Sequence, residues 1–238
     1  MGRITHFSKA FADLYSMRII ITAATHGEWM PSFQKINPKY VGNSKKFSVG
    51  FHESGIGMLA SSVSLMKMFV QETPTLIIQV GIAGCFDKSI PLGEVFAVKD
   101  DFAGDIGVME KKEWKDLFDM KFDKPNDAPY EKKSLPNPWL KQYNLLNLPT
   151  KKGVTVNTIS TDKNKIALFS GRYKAILESM EGASLHYIGR DLTIPFLQIR
   201  AVSNYVGERD KSKWKIQEAI YNLNETLLNL LDELYKTA

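Results

Sequence analysis

The stretch Arg18-Ile19-Ile20-Ile21-Thr22-Ala23-Ala24-Thr25-His26-Gly27-Glu28 runs from a β-branched apolar block through small residues to a threonine, with a glutamate three positions further on. The block reads as a buried strand, and residues 25–35 read as a helix that Thr25 caps. Working outward, the alternation repeats. Residues 46–53 alternate as a strand, and residues 57–71 carry Met58, Leu59, Val63, Leu65, Met66 and Phe69 at helical spacing. Residues 75–80 are another continuous apolar strand, and residues 94–98 follow after a Pro-Leu-Gly turn. This succession predicts an α/β fold, three layers deep (α/β/α), around a central, mostly parallel, partly mixed twisted sheet.

Further along, residues 153–157 and 195–202 read as strands and residues 180–191 as the helix between them. A final amphipathic helix over 214–235 sets Ile216, Ile220, Leu223, Leu227, Leu228, Leu231 and Leu234 on one face. Residues 111–150 hold five of the ten prolines and break the pattern. Trp114, Phe118, Phe122, Tyr130, Trp139 and Tyr143 recur there and need a surface to cover, so the segment reads as an irregular excursion within one domain spanning 17–238. Residues 1–16 stand apart: a short added helix, or an upstream extension with Met17 as the functional start.

The composition excludes several classes. A chain of 238 residues with 44% apolar content can bury a large core. No run of eighteen apolar residues offers a membrane span, and the first sixteen residues lack the apolar block of a secretory signal. A cytoplasmic protein is expected. The single cysteine, Cys85, has no partner for a disulfide or a paired-cysteine metal site. The formal net charge is +5, but the lysines alternate with acids and form no arginine-rich or aromatic-interleaved stripe, so they read as solvated surface rather than a nucleic-acid face.

In α/β sheets, ligands gather at the carboxyl ends of strands. There the sequence sets Ala23-Ala24-Thr25-His26-Gly27-Glu28, Gly81-Ile82-Ala83-Gly84-Cys85, and Arg200, Ser203 and Asn204. Ser179-Met180-Glu181-Gly182-Ala183 adds a carboxylate between a methionine and small residues at a helix start. A competing pattern, Gly55-Ile56-Gly57-Met58-Leu59-Ala60, matches the dinucleotide fingerprint formally, yet it follows the second strand and the next strand ends without an acid. Those glycines read as a tight turn that lets backbone approach the site.

Taken in order, these segments resemble the nucleoside phosphorylase and nucleosidase superfamily. Ser54-Gly55-Ile56-Gly57, Gly81-Ile82-Ala83-Gly84 and Met180-Glu181-Gly182 stand where that family has its glycine turn, its purine floor and its ribose clamp, and Glu28 stands on its water-activating carboxylate. The resemblance runs from about residue 17 to the end, interrupted at 111–150. The serine of Ser179-Met180-Glu181, the segment Val154-Thr155-Val156-Asn157-Thr158 and the run from Ser203 to Trp214 are most similar to the futalosine hydrolase branch, which cleaves a 6-oxopurine nucleoside bearing a carboxylated aromatic tail at C5′ in menaquinone biosynthesis.

The resemblance implies catalytic roles for Glu28, Glu181, Asn204 and Arg200, and substrate contacts from Ile82, Ala83, Gly84, Thr158, Met180 and Ser203. Loss of a purine leaves an oxocarbenium-like sugar, so one carboxylate (Glu181) on the ribose hydroxyls positions the ring and stabilises positive charge. A second (Glu28) takes a proton from water. Arg200 orients the carboxylates or the water. Adenine-specific relatives carry Asp where this chain has Asn204, and an amide donates to a 6-oxo group that an ionised Asp would repel, which points to hypoxanthine as the leaving base. No cofactor, metal, nucleic acid or membrane is implied. A homodimer or higher homo-oligomer is, with the tail pocket completed by a neighbouring subunit.

The alternatives are a methylthioadenosine/adenosylhomocysteine-type nucleosidase, a purine nucleoside phosphorylase, and a silent nucleoside-binding module. Arg209, Lys211 and Lys213 are candidates for the tail carboxylate. Whether His26 tunes Glu28 or merely packs is open, His186 is expected to pack on its helix, and Cys85 to fill buried space.

Overall fold

The apolar block at residues 19–21 becomes the interior of strand β1 (Met17–Ala23), and helix α1 (His26–Lys35) follows with Thr25 at its N-cap. The computed structural model describes residues 17–41 and 46–238, so the expectation for residues 1–16 lies outside the described residues. Next come β2 (Phe47–Glu53), α2 (Met58–Glu72), β3 (Leu76–Cys85) and β4 (Val95–Asp101). The excursion holds a hairpin of β5 (Gly107–Glu110) and β6 (Glu113–Asp116), then β7 (Leu135–Pro136) and the single-turn α3 (Leu140–Tyr143). The chain ends with β8 (Thr150–Thr155), α4 (Lys163–Arg172), β9 (Leu177–Ser179), α5 (Gly182–Asp191), β10 (Phe196–Tyr205) and α6 (Ile216–Thr237).

The sheet is mixed. β1 runs parallel to β2 and β3, β3 parallel to β10, β4 parallel to β8, and β8 parallel to β9, whereas β10–β4, β4–β7 and β3–β9 are antiparallel. Because β9 returns to pair with the end of β3 (Gly84 opposite Glu178), strands β3, β10, β4, β8 and β9 close into a ring, with β1 and β2 extending from β3. One face packs Ile19, Ile21, Ile78 and Ile199 under Leu223, Leu227, Leu230 and Leu231 of α6. The other packs Ile20, Ile77 and Phe196 under Leu65 and Met68 of α2 and Leu185 and Ile188 of α5.

Two expectations need correction. The strands predicted to stop at residues 80 and 202 continue to Cys85 and Tyr205. Gly81 to Cys85 lose the β-branched pattern but keep their backbone pairing to β10 and β9, and it is the pairing that defines the strand. In α2 the predicted stripe mixes two faces: Leu65 is buried and Met68 beside it, while Leu59 is 80% exposed and Val63 and Met66 also face outward. The helix has apolar residues on both sides, and spacing alone does not say which side meets the sheet.

Aromatic residues of the excursion do cover a surface. Trp139 packs edge-on to Phe196, Tyr130 lies between Phe118 and Tyr187, and the Trp114 indole donates to the Tyr173 hydroxyl at 3.3 Å. Phe122 is the exception and is exposed. The segment is pinned further by Asp116, buried against Arg172 and Lys133.

Candidate active site

Glu28 sits in the first turn of α1, where its carboxylate is held at both oxygens. Oε2 accepts the Thr25 backbone N–H at 3.2 Å, the returning half of a capping box, and Oε1 accepts the Ile82 N–H of β3 at 3.1 Å. Burial lifts its pKa above the ordinary carboxylate range, and the Arg200 guanidinium and the two N–H donors partly offset that rise.

Glu181 is the N-cap residue of α5 and is buried. Its Oε1 accepts the Gly57 N–H at 3.1 Å, and its Oε2 lies 3.9 Å from Nη2 of Arg200. Gly57 has φ +88° and ψ 161°, a region only glycine occupies at ease, and this turn is what aims its N–H at the carboxylate. The second glycine of the fingerprint-like segment therefore serves Glu181, while the N–H of Gly55 donates to the Ala24 carbonyl at 3.1 Å. Arg200, 1% exposed in mid-β10, donates to Oε1 of Gln79 at 2.7 Å. A Cβ built on Gly81 would overlap Nη1 of Arg200 and lie 3.0 Å from Oε1 of Glu28, so the guanidinium and the carboxylate meet over this one glycine.

Asn204 reaches the same end of the sheet through a bulge. The β10–β3 register slips between Val202 and Asn204, leaving Ser203 as the extra residue and setting Asn204 opposite Gly84. The Ser203 hydroxyl donates to Oδ1 of Asn204 at 2.8 Å, and Nδ2 donates to the Tyr205 carbonyl at 3.1 Å. With one amide hydrogen so used, the second is left to donate.

Of the remaining predicted residues, Ala83 and Ser203 are buried, Ile82, Gly84 and Met180 are partly buried, and Thr158 is exposed. The Asp105 carboxylate holds the 157–158 turn by accepting both backbone N–H groups, at 2.7 and 3.1 Å. His26 turns away from Glu28 and pairs with Glu53, Nδ1 to Oε2 at 3.2 Å. His186 is fully buried against Phe196 and bonded to the Leu135 carbonyl, and burial lowers its pKa to about 4. Cys85 is buried, its thiol pushed up to about 11. Lys213 pairs with Glu208 at 2.9 Å and Arg209 lies over the Trp214 ring, the two cations exposed and their partners half-buried. Among the described residues, no helix is long and apolar enough to cross a membrane.

The Phosphorylase superfamily model matches residues 31–236. The chain belongs to this superfamily. A futalosine hydrolase from Thermus thermophilus is 26% identical over 192 residues, covering 76% of this chain and 80% of that protein. Among solved structures, a mutant futalosine hydrolase of Helicobacter pylori superposes with a TM-score of 0.75 at 17% identity, covering 91% of this chain and 99% of that one. A methylthioadenosine/adenosylhomocysteine nucleosidase of Colwellia psychrerythraea, solved with adenine, gives 0.72 at 20% identity, covering 93% and 98%. Both structures share this fold.

Within this phosphorylase-superfamily chain, four site residues escaped the sequence reading. Gln79 holds Arg200. Asn157 accepts the Met58 N–H at 3.1 Å and so fixes the head of α2 beside Gly57. Thr155 accepts the Ala183 N–H at 2.8 Å and donates to the buried Asp101 at 2.8 Å, which fastens the chain just after Glu181. Burial pushes the Asp101 carboxyl up to about 6. A signal existed for Gln79: a polar residue inside a continuous apolar strand needs a buried partner. Thr155 and Asn157 lie in a segment that carries the family resemblance, which gave them no role of their own, and Asp101 carried no signal, because a polar residue at a strand end is ordinary.

Proposed function

We propose that this protein hydrolyses the N-glycosidic bond of futalosine, releasing hypoxanthine and dehypoxanthine futalosine, a step of menaquinone biosynthesis. The observation that carries the reading is the carboxylate pair Glu28 and Glu181 gathered around the buried Arg200, with the oriented Asn204 amide at the same strand ends. Glu28 takes a proton from the attacking water, and its raised pKa makes it a better base than an exposed glutamate. Arg200 favours the ionised form of that carboxylate against its burial and faces the charge of Glu181. Glu181 grips the ribose hydroxyls and stabilises the sugar as it becomes cationic. Asn204 donates to the departing 6-oxopurine, over the floor of Ile82, Ala83 and Gly84, with Thr158, Met180 and Ser203 around it. The named futalosine hydrolase relative supports the choice of substrate.

A phosphorylase would bring an anionic nucleophile toward Glu28, which repels it, so added phosphate is expected not to raise the rate. The decisive experiment is base release from futalosine, inosine, methylthioadenosine and adenosylhomocysteine, each with and without phosphate. Failure on futalosine alongside turnover of methylthioadenosine would replace this reading with that of the adenine-specific nucleosidases.

Base choice has its own test in Asn204→Asp. The carboxylate would face the O6 lone pairs, a buried polar mismatch of about 1–3 kcal/mol, so the ratio of kcat/KM for inosine-type over adenosine-type substrates is expected to fall by roughly 5- to 150-fold. A ratio unchanged within about twofold, measured with the same 5′ group, would place base recognition elsewhere.

The protein works as a cytoplasmic homodimer in this reading, as a single domain over 17–238 without a cofactor. The surface that supports it is the outward face of α2, where Leu59, Val63, Met66 and Val70 stand exposed, with Ile56 exposed in the turn before the helix. The double variant Leu59→Glu/Val63→Glu is expected to sediment at half the wild-type mass while keeping its circular dichroism. A wild-type protein that sediments as a monomer refutes the dimer.

A further inference from the structure

Helix α1 contains Pro31, whose missing N–H leaves the carbonyl of Gly27 without its helical donor. One step further along this weakened turn, a side chain from the far end of the sequence takes hold of the main chain. Nδ2 of Asn224, from α6, donates to the backbone carbonyl of Glu28 at 2.9 Å, and Oδ1 accepts the Ser32 N–H at 2.9 Å and the Ser32 hydroxyl at 2.6 Å. The remaining amide hydrogen goes to the Ile220 carbonyl of its own helix at 2.7 Å. Asn224 is 2% exposed and lies in a face otherwise made of Ala219, Leu223, Leu227, Leu230 and Leu231.

A leucine there would continue that apolar face without the cost of burying an amide, so the amide makes sense through what it holds. It spans both ends of the Glu28–Ser32 turn, and one end is the peptide group of Glu28 itself. The side chain of Glu28 is aimed by that turn at the Ile82 N–H, 3.1 Å away. We infer that Asn224 is a positioning residue for Glu28, clamping the first turn of α1 so that the carboxylate stays seated on β3. The inference rests on the proposed function for its catalytic meaning, and on the hydrogen bonds alone for its structural one.

The test is Asn224→Leu, which keeps the bulk and the apolar face while removing the clamp; Asn224→Ala is read the same way if leucine disturbs packing. Amide NMR reads the seat directly. In the variant the Ile82 N–H is expected to shift upfield and exchange faster, while the amide of Ile78, deeper in β3, holds. With futalosine, kcat is expected to fall about tenfold or more and KM to stay within about twofold, the signature of a misplaced catalytic group rather than of lost binding. An unmoved Ile82 amide overturns the inference whatever the turnover. A moved amide with unchanged kcat leaves Asn224 as the anchor of Glu28 and instead refutes Glu28 as the base.

Discussion

Glu28→Gln is expected to fold and to bind substrate while hydrolysing futalosine roughly 10²–10⁴ times more slowly, the range typical of removing a general base. Glutamine is nearly isosteric and its carbonyl still accepts one of the two N–H groups, from Thr25 or Ile82, that the carboxylate accepts now. What it lacks is the basicity. The pH profile supplies a second reading of the same residue. A base works only when ionised, so wild-type kcat/KM falls as pH drops through the pKa of Glu28. Because burial raises that pKa, the fall begins at higher pH than for an exposed glutamate, and Arg200 limits how far. The variant should show residual activity without this acid limb. Turnover within a few-fold of wild type, or an acid limb that persists in the variant, would remove Glu28 from the mechanism.

Gly81→Ala is the other large effect. The added methyl overlaps Nη1 of Arg200 and comes within 3.0 Å of the Glu28 carboxylate, closer than ordinary van der Waals contact. Arg200 cannot move aside without losing contacts, since it is buried, held by Gln79 and faces Glu181. Displacing it leaves Glu181 buried without its counter-charge, a change of about 3–5 kcal/mol, which lowers the melting temperature by on the order of 10 °C in a chain of this size. Activity measured well below that melting point is expected to fall at least about 10²-fold, because one methyl disturbs both carboxylates. Gly171→Ala, where nothing lies within 4 Å of the new methyl, is the control: it should leave activity unchanged and, lying in α4, should not lower the melting temperature. A Gly81→Ala protein that melts and turns over like wild type would mean that Arg200 is not the link between Glu28 and Glu181.

The two variants also separate what can be read along the chain from what cannot. Glu28 is visible in sequence because it follows the first strand in the first turn of a helix that Thr25 caps, where the resembled family has its water-activating carboxylate. The strand–helix alternation is visible too, since each apolar block declares its own period. So is Glu181, between a methionine and two small residues at a helix start. The α/β class, the order of the segments and the candidate carboxylates followed from such local patterns together with the family resemblance.

The tertiary structure decided everything that depends on which residues from distant segments share a space. Gly81 looks like one glycine of a purine floor until the parallel register sets it opposite Arg200. Asn204 stands opposite Gly84 because a bulge at Ser203 slips the ladder, and a slip of one residue reverses the face of every side chain after it. Which side of α2 meets the sheet, the return of β9 to close the ring, and the reach of Asn224 across 196 positions to the carbonyl of Glu28 are equally silent in sequence. The physical reason is that local propensity depends on neighbours within a turn or a strand. Buried hydrogen bonds and close backbone approaches instead depend on packing between elements, which no single segment encodes.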